Sequence, residues 1–405
     1  MMTVAALALV FSACTPQTPP DTTFVVSSDP ALRTRVAELL PGLADRAGME
    51  LSRPVRAERR SREELEAYLV YKLDQDLPPE EADHLTRSYG LLGLVDEELD
   101  LRDLLLSVYT EQVAGFYDPD STALFVMDDM DVELLETVMV HELVHAVQDQ
   151  ETSLDSLTAD ERGNDRQAAA QAAIEGHATL IMLEHMAEEL RGEPVDLSTL
   201  PELSEAIGPA MEGMKDQYPA LAGAPRIIQE AVLFPYLEGA SFVAALWESR
   251  EGRPPPFHAL LPQSTEQVMN PSLAWGESPD RPTELAVGVP ESYTILYQNT
   301  LGQLELGIFL EEHLGPEGRE AARGWDGDRY LLLSTPEGED GLVWAGVWDG
   351  REERDRFLTA VRGGVMGIPR SWSAEGTEFF GRPGVLLRVG VPDDLAVLVE
   401  EGSSG

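Results

Sequence analysis

The chain of 405 residues holds a single cysteine, Cys14, and only two lysines, Lys72 and Lys215. One cysteine excludes an intrachain disulfide. Basic residues of both kinds are scarce: 29 Lys+Arg stand against 73 Asp+Glu, a formal net charge of −44. A field that negative repels phosphate backbones and excludes nucleic acid as a partner. Long apolar runs are missing too. No stretch reaches the roughly 18 apolar residues of a transmembrane helix. What is present is ordinary globular usage, 43% hydrophobic and 25% charged, which excludes wholesale disorder. Acidic residues recur from Glu38 to Glu401 without gathering in one block, the pattern of general surface solvation.

The first residues carry an apolar run, Val4 to Phe11, followed by the small residues Ser12 and Ala13 directly before Cys14. About ten apolar residues are too few to span a bilayer and fit the core of a signal peptide. Residues 1–14 look like a bacterial lipoprotein signal, with cleavage before Cys14 and a lipid on that cysteine. The expected location is extracytoplasmic, on a bacterial membrane. No Lys or Arg precedes the run, which departs from the usual pattern. Residues 15–22 read as a flexible tether.

The remainder predicts an α+β chain: a mainly helical domain over 23–294 and a C-terminal α+β region over 295–405. Periodicity gives a helix over Ala31–Arg46 and a short strand over Arg53–Arg60. Ser61 and Glu64 have capping-box spacing at the start of a helix over Ser61–Leu73. Val113–Tyr117 and Thr122–Met127 flank the turn Asp118-Pro119-Asp120-Ser121, a hairpin signal. Helices follow over Val132–Gln150 and Asp165–Leu190, the second stopped by Gly192 and Pro194. Residues 193–225 read as a surface excursion. A helix over Ile227–Glu248 should break or kink at Pro235. Later runs predict a helix over Leu301–His313, strands over Tyr330–Ser334, Leu342–Trp348 and Val385–Val391, and a helix over Glu352–Arg362.

The chemistry concentrates in His141-Glu142-Leu143-Val144-His145. Four residues apart on a helix, the two imidazoles project from one face a turn apart. That spacing lets both reach one metal at about 2.0–2.1 Å. Glu142 lies beside them, placed to take a proton from water without being a ligand. This is the zincin motif. Flanking Val138, Val140, Leu143, Val144 and Val147 make the helix largely buried, and two histidines and a glutamate buried there without a metal would be costly.

A catalytic zinc needs a third protein ligand and one open position. The next helix offers Ile174-Glu175-Gly176-His177-Ala178-Thr179. Glu175 and His177 are two residues apart, about 200° around a helix, so one metal takes only one of them. Periodicity does not choose: Ala172, Thr179 and Met182 flank one face, Ile174 and Ile181 the other. Gly176 suits a close approach of helices.

Several stretches together resemble uncharacterised bacterial secreted or lipid-anchored HExxH proteins, similar to gluzincin zinc metallopeptidases. They are Glu111–Pro119, His141–Gln150, Glu175–Thr179, Phe234-Pro235-Tyr236 with Gly239, Ser264–Pro271 and Gly324–Tyr330. The resemblance runs from about residue 50 to 365. It implies a zincin-like fold, one Zn2+ per chain on His141, His145 and Glu175, and Glu142 as catalytic base. A peptide or protein would be the substrate. His177 departs from the pattern, which usually has an acid there. The rival readings are a non-catalytic envelope scaffold that retains the fold and a zinc amidase acting on cell-wall peptides.

Around this set, Thr122–Met127 reads as the edge strand for an extended peptide or as an ordinary packed strand. Asp149, a turn after His145, reads as a group that orients it or as a solvated helix end. Tyr236 reads as packing at a helix kink or as a donor to an oxyanion. His84, His258 and His313 read as surface groups and His185 as a helical non-ligand. Arg329 with Tyr330 reads as an interdomain salt bridge or as a clamp for a substrate carboxylate.

Overall fold

The structure is a computed structural model that describes residues 21–129, 132–159, 163–200 and 218–402. The signal segment, most of the tether and residues 201–217 of the expected excursion lie outside the described residues.

The described residues begin with β1 (Val25–Val26) and α1 (Pro30–Ala47), whose N-cap Asp29 accepts from Ala31 N and Leu32 N. After β2 (Val55–Arg60) comes α2 (Arg62–Asp76), where Ser61 and Glu64 close the expected capping box. Helices α3 (Pro79–Leu91) and α4 (Leu101–Gln112) lead to β3 (Gly115–Asp118) and β4 (Ala123–Met127). Then α5 (Val132–Glu151) and α6 (Asn164–Arg191) follow, the latter ended by Gly192 in the left-handed region at φ 73°. Helix α7 spans Arg226–Ser249.

The first sheet has the order β1-β2-β4-β3. Strand β4 runs parallel to β2 and antiparallel to β3, so it lies inside the sheet. The expectation of Thr122–Met127 as the edge is therefore overturned. Its five strand residues are all buried, and Gly115–Asp118 forms the edge beside α5. A hairpin signal identifies two strands but cannot tell which one a distant strand, here β2, will cover.

Two further expectations change. Helix α7 runs unbroken through Pro235, which removes the break from the expected break or kink. Gly176 does serve a close helix approach, but toward α7 and not toward α5. A Cβ on Gly176 would lie 2.0 Å from Gly239 C, and one on Gly239 would lie 2.2 Å from Ala172 O. Two glycines thus let the backbones of α6 and α7 touch.

Beyond α7, β5 (Leu285–Gly288) precedes β6 (Thr294–Asn299) and α8 (Gly302–Leu314). The C-terminal part adds β7 (Trp325–Ser334), β8 (Asp340–Trp348), α9 (Arg351–Gly363), β9 (Trp372–Phe379), β10 (Arg382–Val389) and β11 (Leu398–Glu401). An antiparallel sheet runs β6-β7-β8-β10-β9, and β11 pairs back with β5. Alternation splits this sheet between two cores. Tyr330, Leu332, Leu342 and Trp344 join the main core shared with the helices, while Leu331, Leu333, Val343 and Ala345 form a smaller one on the other face. The architecture is mixed α+β.

Candidate metal centre

Helix α5 presents His141, His145 and Gln148 along one stripe, at the i, i+4, i+7 spacing of a single face. Helix α6 answers with Gln171 and Glu175, also four apart. Packing of the two helices brings three donor atoms together. His141 Nε2 lies 3.0 Å from Glu175 Oε2 and 3.0 Å from His145 Nε2, and His145 Nε2 lies 3.3 Å from Glu175 Oε2. Donors on a tetrahedral zinc with bonds of about 2.0–2.2 Å stand about 3.3–3.5 Å apart, so this triangle is within a few tenths of an ångström of one face of that tetrahedron. The two nitrogens and one oxygen are the donor types that zinc takes. The three residues fit the metal.

The electrostatics agree with a site that gathers opposite charge. Burial opposes charging of His145, but the Glu175 carboxylate against it raises its pKa to about 9. Glu175 is buried as well, yet His145 and His141 hold it well below the usual carboxylate range. Glu142 goes the other way: burial raises it against the pull of the two imidazoles.

Glu142 is not in the donor triangle. Its Oε2 accepts the backbone N–H of Tyr117 at 2.7 Å. Met127 N–H reaches the Ala114 carbonyl, so by alternation Phe116 and Asp118 bond β4, and Tyr117 turns its N–H outward from the sheet edge. The edge strand thereby fixes one oxygen of the glutamate.

His177 stands elsewhere. It is fully buried, its ring edge-on to Trp247 and Phe257 at 5.6 and 6.0 Å. Burial, with His145 nearby, lowers its pKa to about 3, so it is neutral. The geometry brings Glu175 to the histidine pair and not His177.

The residue facing His145 from behind is Gln148, not Asp149. Gln148 Oε1 lies 2.8 Å from His145 Nδ1, and its amide nitrogen donates to the Ile174 carbonyl at 3.0 Å. Asp149 instead accepts from Tyr117 Oη at 2.9 Å and pairs with Arg53 at 2.6 Å. Sequence reasoning missed Gln148 and Gln171, whose Nε2 donates to Glu175 Oε1 at 3.0 Å. Their spacings, three after His145 and four before Glu175, carried the signal. Tyr236 is also brought in: the Glu175 charge is the group that acts on its hydroxyl most, and its ring centroid lies 6.0 Å from that of His141.

Other singled-out residues serve the frame. His313 is a clip and not a surface group, facing the Leu92 carbonyl at 2.8 Å and accepting from Gly367 N at 2.9 Å. His258 is exposed, and His185 lies 3.9 Å from Glu136. Arg329 faces Glu284 at 3.8 Å, the expected ion pair.

Comparison with known proteins adds little to this geometry. A family model described as a domain of unknown function (DUF8575) matches residues 292–394. That stretch is the C-terminal sheet. No curated protein and no solved structure matches the chain.

Proposed function

We propose that the protein is an extracytoplasmic, lipid-anchored zinc metallopeptidase with a zincin-like helical domain. The observation that carries the reading is the donor triangle of His141, His145 and Glu175 with an unliganded Glu142 beside it. A purely structural site gains nothing from an acid in that position. Bound zinc supplies Lewis-acid polarisation of a carbonyl and lowers the pKa of water.

The chain's own residues supply the rest. Glu142 takes the proton of the attacking water and returns it to the leaving amine. The Tyr117 N–H pins one of its oxygens and leaves the other to face the water. The burial that raises Glu142 keeps it from being too weak a base for that exchange. Tyr236 holds a proton firmly, because the Glu175 charge beside it and burial push its pKa well above normal. Swung from Glu175 to the developing oxyanion, that hydroxyl donates where negative charge accumulates. With the Tyr117 N–H held by Glu142, the outward carbonyls of the edge strand β3 are left for an extended peptide to join by strand addition. Cys14 carries the lipid that holds the enzyme at the membrane.

The test is zinc content of the purified protein together with cleavage of a random peptide library. The reading expects about one zinc per chain and cleavage that a chelator abolishes and zinc restores. Stoichiometric zinc without cleavage of any peptide would overturn it in favour of a scaffold.

A further inference from the structure

His177 lies two residues beyond Glu175 on α6, fully buried and outside the donor triangle. An apolar side chain would suit that place better if packing were its whole task, because a buried ring nitrogen without a partner is costly. Nε2 of His177 has no partner among the described residues. Its Nδ1 has one: Gln148 Nε2, at 3.1 Å. Gln148 is also the residue whose Oε1 lies 2.8 Å from His145 Nδ1. Side chains from two helices therefore form one line, His177 to Gln148 to His145, that ends at the donor triangle.

The backbone fixes the direction of every hydrogen bond in that line. The Ile174 carbonyl can only accept, so the end of Gln148 that meets it at 3.0 Å is the amide nitrogen. That nitrogen has a second N–H, and His177 Nδ1 accepts it. An accepting Nδ1 carries no proton, so the ring proton of His177 sits on Nε2. At the other end of the amide Oε1 can only accept, and His145 Nδ1 donates to it. With the proton on Nδ1, the Nε2 lone pair of His145 faces His141 Nε2 and Glu175 Oε2, at 3.0 and 3.3 Å. That is the tautomer in which an imidazole binds a metal through Nε2.

We infer that His177 is a positioning residue for the metal centre: by accepting the second N–H of Gln148 it holds the amide in the orientation that sets His145 for zinc, and so raises the affinity of the site. The Ile174 carbonyl fixes one N–H of the amide. His177 fixes the other and stops the amide from swinging about the first bond. Turned over, the amide would set its oxygen against the Ile174 carbonyl, acceptor against acceptor, and aim an N–H at His145 Nδ1. The inference rests on reading the triangle as a zinc site, but not on peptidase activity.

The test pairs two substitutions of nearly equal size and shape in the full chain. His177→Asn keeps an acceptor one bond from Cγ, as Nδ1 is. His177→Leu has the same branching and no acceptor. Both variants still fill when zinc is in excess, and the difference lies in affinity, read by competition with a chelating dye. The Asn variant should hold zinc nearly as the wild type does and the Leu variant about tenfold more weakly, the low end of the cost of losing such a partner. A residue that only packs would give the reverse order, since Leu suits the pocket of Trp247 and Phe257 better than Asn. In a Gln148→Ala background His177→Leu should weaken zinc no further, because the line is already cut. Nitrogen NMR of the metal-free chain should show the His177 proton on Nε2 and none on Nδ1. A Leu variant that binds zinc as tightly as the Asn variant, a further loss in the Gln148→Ala background, or a proton on His177 Nδ1 would each overturn the inference. A chain that binds no zinc overturns both this inference and the metallopeptidase reading, whereas one that binds zinc and cleaves no peptide overturns the latter alone.

Discussion

Gln148 Oε1 lies 2.8 Å from His145 Nδ1, and the same amide donates to Ile174 O one residue before Glu175. One side chain thus orients a histidine on α5 and is itself anchored beside the carboxylate on α6. Loss of such a partner costs about 10–100-fold in metal affinity. Gln148→Ala is expected to weaken zinc binding by that factor in a competition assay with a chelating dye. Asp149→Asn, which touches Tyr117 and Arg53 instead, should leave the affinity unchanged.

The proposed function separates the two glutamates by role. Glu142→Gln should keep zinc near one per chain while hydrolysis falls by about 10²–10⁴-fold, the usual worth of a general base. Glu175→Gln should lose both metal and activity, because a neutral amide oxygen is a poorer donor than a carboxylate. His177→Ala should retain zinc yet melt at a lower temperature, since it removes a fully buried ring from between Trp247 and Phe257. Metal analysis and a peptide assay on the three variants decide the matter. Zinc lost from the His177 variant alone would show the third ligand to be misassigned.

Tyr236→Phe isolates the proposed oxyanion donor. The ring stays beside His141 and only the hydroxyl goes. Turnover should drop by about 10²–10³-fold with little change in KM, because the bond matters in the transition state. An equal rise in KM at constant kcat would assign the hydroxyl to ground-state binding.

Glu305 makes stability depend on pH in an unusual direction. Its carboxyl is buried, accepting from Tyr89 Oη and Asn164 Nδ2, while its second oxygen has no partner. Burial raises its pKa to about 8. The folded state therefore holds a proton that the unfolded state has released above about pH 4.5. Stability from this group is present at low pH and is lost as pH rises toward 8. Glu305→Gln should leave the melting temperature nearly unchanged at pH 5 and raise it at pH 8.5. Identical shifts at both pH values would contradict the assignment.

Membrane attachment is tested in cells expressing the full precursor. Cys14→Ser should move the protein from the membrane to the soluble fraction, because anchors with more than one acyl chain hold far better than a single chain. Failure of labelled fatty acid to enter the wild type would refute the anchor.

The histidine pair was legible in the sequence because four residues make about one helical turn, and a turn is a local property of the chain. The capping box at Ser61 and Glu64 and the charge balance are local or additive in the same way. The third member of the donor triangle was not of that kind. Glu175 and His177 sit on opposite sides of α6, and both sides are buried, so hydrophobic periodicity could not say which one faced α5. The packing of α6 decided it: Gly176 turns toward Gly239 on α7, Glu175 meets the histidines, and His177 enters the aromatic core. The edge strand was settled likewise by β2, some 60 residues earlier in the chain, which covers β4 and leaves Tyr117 to hold Glu142. Motif and spacing supplied the chemistry on one helix. Contacts between residues far apart in the chain, which no local pattern encodes, supplied the partners that complete it.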